Sequence, residues 1–526
     1  MSEPTQPAEL AEWLVAEYGR PVDRWATTAL LESRGLRDVD AVERYGCADM
    51  FALADIVHPL ATALPVPDAE AEADPAVRRH RRVGRFLTLY LRGTFVALPM
   101  AIQIVAMLVL GYALWSYLKF DESQASAVSV GTIASFIVTG GFVQAIGRLG
   151  LSYAASGSHL LAERAVRKLV LWGAVVAAVV GFASWSVNLA TAWFPQWVMA
   201  IALVYYALLS LLWLLLAILY TVQHRAGVAL SVILGIVAIW VVRTTTSLNI
   251  YLAHWIGLSV SIVLGAVWGF GVLRRRARRT VGDARLAELP RLSILLYSVG
   301  PYFAYGALYF TILFVDRIVA WTTGDFRLPL LVWFRTPYEL GLDWALVSLV
   351  LAIAVLEYAS HSFSGRLIAT QQRTSGLCRG EHNAIYVRFY RRQQALLAVI
   401  VAGSIVGTFR LVLSVHRYHE VEQARDFFAS PVTFQVFAFG ALAYGCLAWA
   451  LLNASFFFTL SRPWLALRPL VAGLATGVLV GYVLSRVVED WWAGIGLLVG
   501  MATFAVLTAR HARRFMRDLD WYYVSA

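Results

Sequence analysis

The chain has 526 residues, of which 59% are hydrophobic and 15% are charged, whereas a soluble globular protein carries roughly 25% charged residues. Its formal net charge of +11 would suggest nucleic acid in a soluble protein, but here the basic residues stand between long apolar runs and form no basic domain. The composition indicates an all-α membrane protein that contacts the lipid bilayer, and it argues against a nucleic-acid partner.

The first part of the chain, residues 1–77, is polar and precedes the first long apolar run. Apolar residues recur there at helical spacing, as in Leu10, Trp13 and Leu14, and predict two to four short amphipathic helices. The stretch PVPDAEAEADP at 65–75 predicts a linker that does not pack. We interpret 1–77 as a small helical cytoplasmic region; a regulatory or partner-docking role stays open.

Basic residues between Arg78 and Arg92 predict an amphipathic stretch at the membrane surface, which leads into the first span. Apolar blocks of about 20 residues, the length that crosses a hydrocarbon core, then recur along the chain. We predict about twelve transmembrane helices, at about 94–118, 127–147, 168–192, 197–222, 226–246, 249–273, 293–321, 341–363, 394–415, 432–459, 467–485 and 491–509.

The basic residues of the joints test this count. With the N-terminus on the cytoplasmic side, 30 of the 44 Lys and Arg residues fall on cytoplasmic joints and the tail, as the positive-inside rule requires. The run RRRARR at 274–279 divides the spans into two sixes. We predict two six-helix membrane bundles, 78–280 and 281–526, in the cell (cytoplasmic) membrane, with both termini cytoplasmic and a cytoplasmic tail after the last span.

Ionisable residues within spans are the candidate functional residues, because a charge at membrane depth is costly unless it faces protein or water. Asp316 and Arg317 lie near the end of span seven among apolar neighbours. Adjacent residues point to different helix faces, so each is expected to meet another helix. They are candidates for substrate binding or gating, and interhelical salt bridges are the alternative.

A second candidate is the pair Glu357 and His361 in span eight, which share one helix face because they are four residues apart. Such a pair could bind a cation or relay a proton, or it could serve helix packing alone.

Three arginines near span ends, Arg148, Arg243 and Arg410, form a third candidate group. Facing one cavity, they would hold phosphate or carboxylate groups; the alternative is that they extend to the membrane interface.

Several kinds of catalytic chemistry have no motif in this sequence. No Walker A, HExxH or GxSxG pattern occurs, and the three cysteines include no CxxC pair. We therefore expect no enzyme activity, no cofactor and no metal site.

Two stretches carry a family resemblance. The segment TGGFVQAIGRLGLSYAASGSHLLAERAVRKLVLW at 139–172 resembles the second and third spans of the multidrug/oligosaccharidyl-lipid/polysaccharide flippase superfamily. Span seven, YFTILFVDRIVAWTTG, followed by TPYELGLDWALVSLVLAIAVLEYASHSF, is similar to the Pel-type exopolysaccharide exporter branch. The matching positions are an acid–base dipeptide followed by an aromatic residue, and a Tyr before an acid, which here are Asp316, Arg317, Trp321, Tyr338, Glu339 and Asp343.

The resemblance implies two six-helix bundles around a central cavity and export or flipping of a polysaccharide or lipid-linked saccharide by alternating access. It also implies a membrane glycosyltransferase or synthase subunit as a possible partner. Two alternatives stay open: an ion-coupled multidrug antiporter of the same superfamily, and a non-transporting scaffold of a synthase complex that acts through residues 1–77.

Overall fold

The computed structural model describes residues 6–18, 20–21, 23–64, 75–279, 289–323, 334–371, 379–418, 427–428 and 430–524. The predicted linker at 65–75 lies outside these residues except for its last position, Pro75. Within the described ranges the chain is helical apart from short joints and one isolated bridge, between Tyr112 and Tyr117. The predicted all-α class is confirmed.

The N-terminal region contains four short helices: α1 (Pro7–Tyr18), α2 (Arg24–Ser33), α3 (Asp38–Tyr45) and α4 (Met50–Ala63). Two of them begin with an aspartate whose carboxylate accepts from a backbone N–H of the first turn: Asp23 from Ala26 at 2.8 Å, and Asp49 from Ala52 at 2.7 Å. Their apolar faces share one core, which includes Leu14 among its buried side chains. Helix formation here agrees with the periodicity of the sequence.

The described residues that follow contain twelve helical spans that are long and apolar enough to cross a membrane, and the predicted number is confirmed. The helices that form them are α5 (Pro75–Leu110), α6 (Glu122–Ala155), α7 (His159–Thr191), α8 (Gln196–Thr221), α9 (Arg225–Thr245), α10 (Ile250–Arg279), α11 (Leu292–Trp321), α12 (Thr336–Val347), α13 (Leu349–Gln371), α14 (Arg379–Tyr418), α15 (Pro431–Thr459), α16 (Trp464–Val487) and α17 (Ala493–Arg517). Helices α12 and α13 together make span eight, and a short helix α18 (Leu519–Val524) ends the described chain.

The first span ends earlier than the sequence suggests. Helix α5 stops at Leu110, not near 118, because Gly111 adopts φ +76° and turns the chain. The side-chain oxygen of Gln103 accepts from the Leu114 backbone N–H at 2.8 Å and holds the segment after the turn. Hydropathy could not show this, since the residues from Tyr112 to Leu118 carry no charge that would mark the end of a span.

The basic run at 274–279 does not interrupt the helix that precedes it. Helix α10 continues through it to Arg279, and the remainder of the predicted joint, 280–288, lies outside the described residues. The run therefore forms the C-terminal end of a long helix, where cationic side chains interact favourably with the helix dipole.

By packing, the chain divides into two compact units. One consists of Met1–Tyr90, Glu357–Ala395 and Arg513–Ala526, and the other of Leu91–Leu356 and Leu396–Ala512. This division by contacts does not test the predicted domain boundaries at 77 and 280, which stay predictions.

Within the larger unit, α6 of the first six spans packs closely against α11 of the second six. The two backbones touch: a Cβ added to Gly306 would lie 2.3 Å from the Gly140 carbonyl oxygen. Phe136 of α6 stacks on Phe310 and Phe314 of α11, with ring centroids 5.0 and 5.5 Å apart. Helix α11, which carries Asp316 and Arg317, is therefore held against α6 by close backbone contact and aromatic stacking.

A second close contact in the larger unit joins α16 and α17 along a stripe of glycines four residues apart. A Cβ added to Gly496 would lie 2.3 Å from the Gly481 Cα, so no larger residue fits there without movement. Small residues at this spacing let membrane helices approach closely. We call this contact the glycine seam; it consists of Gly473, Gly477, Gly481, Gly496 and Gly500.

Candidate functional site

The side chains of Asp316 and Arg317 lie inside the larger unit and face α12. Both are buried, with 4% and 8% of their surface exposed. The guanidinium of Arg317 donates to Glu339 Oε2 from Nη1, and to Asp343 Oδ1 from Nη2 at 3.2 Å. Trp321 Nε1 donates to the other oxygen of Glu339 at 2.9 Å. Both oxygens of this buried carboxylate are thus bound.

Asp316 makes a separate contact with the same helix. The hydroxyl of Tyr338 donates to Asp316 Oδ2 at 2.7 Å, whereas Asp316 Oδ1 is buried and has no hydrogen-bond partner among the described residues. We call Asp316, Arg317, Trp321, Tyr338, Glu339 and Asp343 the acid–arginine cluster. The expectation that each member of the Asp–Arg pair meets another helix is met, and the helix is α12 for both.

Helical spacing explains why these residues converge. Trp321 follows Arg317 by four residues in α11, and Asp343 follows Glu339 by four in α12, so each pair shares one helix face. A proline at the start of α12 suits its first turn, where a missing backbone N–H leaves no bond unmade.

Arg335, the residue before α12, fixes the relative position of α11 and α12. Its side chain donates to Ala320 O in the last turn of α11 at 3.1 Å and to Thr323 O just after that helix, and it pairs with Asp490 at 2.8 Å. A cation bound to the last carbonyls of a helix also interacts favourably with the helix dipole. This clamp brings the end of α11 and the start of α12 together at the level of the cluster.

The charges of the buried part of the cluster do not balance. Arg317 faces two buried carboxylates, Asp316 and Glu339, while the third acid, Asp343, has a side chain that is 65% exposed. Among the described residues, no other Lys or Arg forms an ion pair with these acids. With all groups ionised, one negative charge would remain buried, which is strongly unfavourable unless a proton or cation neutralises it.

The pair Glu357 and His361 lies on α13 in the smaller unit. Glu357 is half-buried and His361 is exposed. No group of three or more His, Cys, Asp or Glu side chains suited to a metal ion occurs in the described part of the chain. The cation-binding or proton-relay role of this pair stays a prediction.

The three arginines that were considered as one candidate group have different surroundings. Arg243 is exposed and donates to Leu248 O at 3.0 Å, in the joint that follows its own helix. Arg410 is exposed on α14. Arg148 bridges elements: it donates to Ser461 Oγ at 2.6 Å and its guanidinium lies 4.9 Å from the ring centroid of Tyr302. Arg148 therefore joins α6 to α11 and to the joint between α15 and α16.

Sequence reasoning placed only Asp316 and Arg317 of the cluster among the candidate site residues. The other four members were noted only as carriers of the family resemblance. The spacing of Trp321 and Asp343 behind Arg317 and Glu339 was the signal that could have united them. The glycine seam was missed altogether, although its spacing of four residues at Gly473, Gly477 and Gly481 is visible in the sequence.

Solved structures with the same fold are MATE transporters. A mutant of the Vibrio cholerae MATE transporter VcmN aligns with a TM-score of 0.57 at 15% identity, over 84% of this chain and 98% of that one. An outward-facing multidrug resistance MATE family transporter of the MOP superfamily aligns at 0.55 and 12%, over 81% and 95%. The eukaryotic MATE transporter AtDTX14 aligns at 0.51 and 14%, over 84% and 99%.

This chain has the MATE fold. The predicted arrangement in two helical halves is confirmed by that fold. Membership of the superfamily that segment 139–172 resembles stays a prediction. The Pel-type branch stays a prediction. No protein-family model matches the sequence, and no curated protein matches it.

Proposed function

We propose that this chain is an ion-coupled membrane transporter, and that the coupling ion binds at the acid–arginine cluster. The observation that carries this proposal is the charge imbalance around Arg317, where two buried carboxylates meet one guanidinium. Binding a proton or a monovalent cation removes the unpaired charge, and its release restores the charge. The proposal that this chain is a transporter is supported by its MATE fold.

The position of the cluster suggests how ion binding acts on the rest of the molecule. Helix α11 carries Asp316 and Arg317 on its contact with α12, and it also packs against α6 of the first half through Gly306 and Phe310. A change of charge between α11 and α12 therefore alters a helix that both halves share. Transporters with two related halves work by rocking one half against the other, and an ion that binds one arrangement better shifts that equilibrium.

The test is transport by the purified protein in lipid vesicles. A pH or sodium gradient should drive efflux or uptake of a cationic dye, and Asp316→Asn and Glu339→Gln should each abolish the dependence on the gradient. The control is Glu163→Gln, since Glu163 forms a surface pair with Arg167 at 3.2 Å, outside the cluster. Gradient-driven transport that survives in both cluster variants would remove the cluster from the mechanism.

The substrate class has two candidates. A multidrug antiporter agrees with the solved structures, one of which is described as a multidrug resistance transporter. A saccharide or lipid-linked saccharide exporter is favoured by a different observation: the six residues that carry the Pel-type resemblance form one contact cluster. The residues of the motif thus lie together in space, which supports the resemblance.

Substrate assays separate these candidates. A multidrug antiporter should move dyes in vesicles that contain no saccharide, whereas a saccharide exporter should move a labelled lipid-linked oligosaccharide and leave dyes in place. A synthase scaffold predicts a third outcome, with no transport of either substrate and loss of polymer secretion in cells when residues 1–77 are deleted.

A further inference from the structure

We propose that a single water molecule binds between Asp316 and the glycine seam, and that this water delivers the proton to Asp316. The second part rests on the proposed function, since it specifies the coupling ion as a proton. The first part is a statement about a binding site and is independent of transport.

The site is a cavity between α11, α16 and α17. Its volume is about 10 Å³, which is about the smallest space that holds one water molecule. Aliphatic side chains of the three helices form most of its wall. The remaining lining consists of Asp316 on one side and glycines of the seam on the other, namely Gly477, Gly481, Gly496 and Gly500.

Asp316 is the reason to expect a water molecule in this cavity. Asp316 lines the cavity; its Oδ2 accepts from Tyr338, whereas its Oδ1 is buried and has no hydrogen-bond partner among the described residues. A buried carboxylate oxygen without a hydrogen bond is destabilising by about 1–3 kcal/mol or more, and buried polar groups in proteins are almost always satisfied by protein or by water. A water molecule in the cavity donates the missing bond.

The glycine seam offers further partners to that water. Gly477 and Gly496 both line the cavity, and because glycine has no side chain their backbones meet directly: the Gly477 oxygen lies 2.7 Å from the Cβ position of Gly496, and the Gly496 oxygen lies 3.1 Å from that of Gly477. A helical carbonyl has a second lone pair that can accept from water. A buried water needs two to four polar partners, and Asp316 together with these carbonyls meets that requirement.

A metal cation does not fit the same space. Hard cations bind through several oxygen ligands, commonly six or more for the divalent ions, whereas Asp316 is the only lining residue that has side-chain oxygens. The cavity also has no room for an ion with water ligands of its own. The small volume and the aliphatic wall therefore select a single neutral water.

The proton step at this site balances with water alone. The bound water gives the proton of its hydrogen bond to Asp316 Oδ1 while it takes up one proton from the solution side. One O–H bond breaks and one forms on the water, one O–H bond forms on Asp316, and the water is neutral before and after the step. The charged and titratable groups around Asp316 are Arg317 on α11, Tyr338, Glu339 and Asp343 on α12, and Tyr444 on α15. The lining residues of α16 and α17 include no titratable group. A proton that approaches Asp316 from the glycine seam therefore passes no other acidic group among the lining residues.

The variant Gly481→Ala tests the site by filling it. An added Cβ would lie 3.4 Å from the Gly496 Cα and 3.5 Å from the Ala493 carbonyl oxygen, which are ordinary contact distances, so the seam accepts the methyl group. The matched control is Gly403→Ala, because an added Cβ there meets nothing within 4 Å. A second filling variant, Val315→Ile, adds one carbon to a lining side chain of α11. It changes no residue of the glycine seam, so it shows whether an effect of Gly481→Ala comes from the filled cavity or from a disturbed contact between α16 and α17.

Two measurements on the full chain decide the proposal. A structure at a resolution that shows ordered waters should contain density within hydrogen-bond distance of Asp316 Oδ1 in the wild type and none in Gly481→Ala. Proton-driven uptake in vesicles should fall about tenfold or more in both filling variants, which corresponds to about 1.4 kcal/mol in the barrier, and should be unchanged in Gly403→Ala.

The possible failures are distinct. An empty cavity in the wild type, beside ordered waters elsewhere, overturns the water site. Water density at Asp316 with full uptake in Gly481→Ala and Val315→Ile overturns proton delivery from the seam. Wild-type protein that shows no gradient-driven transport overturns the proposed function and, with it, proton delivery, while the density still decides the site.

Discussion

At the scale of single residues, Arg317 is the centre of the site. It is the one cation that pairs with the buried acids in the described part of the chain, and its guanidinium binds two carboxylates through separate nitrogens. A planar guanidinium suits such a forked contact, and a lysine ammonium does not reproduce it. Glu339 depends on this residue for its charge partner and on Trp321 for its second hydrogen bond.

The Arg317–Glu339 pair gives a prediction for stability. Arg317→Ala should destabilise the protein by about 3–5 kcal/mol, because it leaves a buried carboxylate unpaired. The double variant Arg317→Met with Glu339→Leu should recover most of that loss, since it removes both charges and keeps the volume filled. Thermal unfolding in detergent measures both. A double variant as unstable as Arg317→Ala would show that the pair itself, and not the orphaned charge, carries the stability.

Asp40 in the N-terminal region gives a prediction for pH dependence. The Arg37 backbone N–H donates to Asp40 Oδ2 at 2.9 Å, and this bond lowers the pKa of Asp40 below its usual value of 3.8, with the Arg37 and Arg44 charges acting in the same direction. A carboxyl whose pKa is lower in the folded state stabilises the fold above its unfolded pKa, and this contribution is lost as the pH falls through the folded pKa.

The measurement is acid unfolding of a fragment with residues 1–64, whose four helices share a core of their own. Asp40→Asn should be less stable than the wild type at neutral pH, and the difference should shrink as the pH falls below 4. A difference that stays constant down to pH 2 would exclude the Asp40 carboxylate as its source.

At the scale of helices, Arg148 of α6 in the first half contacts the joint between α15 and α16 in the second half. Ser461 in this joint has φ +57°, a left-handed conformation that non-glycine residues seldom adopt, and its hydroxyl accepts from Arg148. Such conformations persist where the surrounding structure holds them, often at switching points. The ring of Tyr302 on α11 adds a cation–π contact to the same guanidinium.

A double-mutant cycle tests this bridge. Arg148→Ala and Ser461→Ala should each destabilise the protein, and their coupling energy should be about 0.5–1.5 kcal/mol, the usual range for a hydrogen bond. Tyr302→Leu in combination with Arg148→Ala should show a further coupling of about 0.5–1 kcal/mol from the aromatic contact. Strictly additive effects in both cycles would mean that Arg148 does not hold the two halves together.

At the scale of the whole molecule, the charge asymmetry of the joints predicts the orientation in the membrane. The fold does not by itself give the sidedness, so this expectation needs its own test. Reporter fusions active only in the cytoplasm should work at residue 1 and at residue 526, and a fusion in the joint between α6 and α7, for example after Gly157, should also work. A fusion in the joint after α5, near Lys119, should be inactive.

If the cytoplasmic reporter were active near Lys119 and inactive after Gly157, the orientation would be inverted. The basic joints would then lie on the outer side, and the positive-inside rule would fail for this chain.

The number of spans and the helical class followed from the sequence because the bilayer imposes a one-dimensional rule. Each crossing needs about 20 apolar residues, and every backbone polar group must be satisfied within the segment, so a helix results. The error at the first span has the same origin. Hydropathy registers apolar residues, but Gly111 ends α5 through its backbone conformation, and a side-chain bond from Gln103 holds the segment that follows.

The sequence by itself determined twelve apolar helices, their division into two sixes and the two ionisable residues at the end of span seven. Only the tertiary structure decided which groups meet: Tyr338 with Asp316, Glu339 with Arg317, and glycines of the seam with Asp316 around one cavity. The physical reason is that spacing within a helix fixes which residues share its face, whereas the rotation of one helix against another depends on packing along the whole contact.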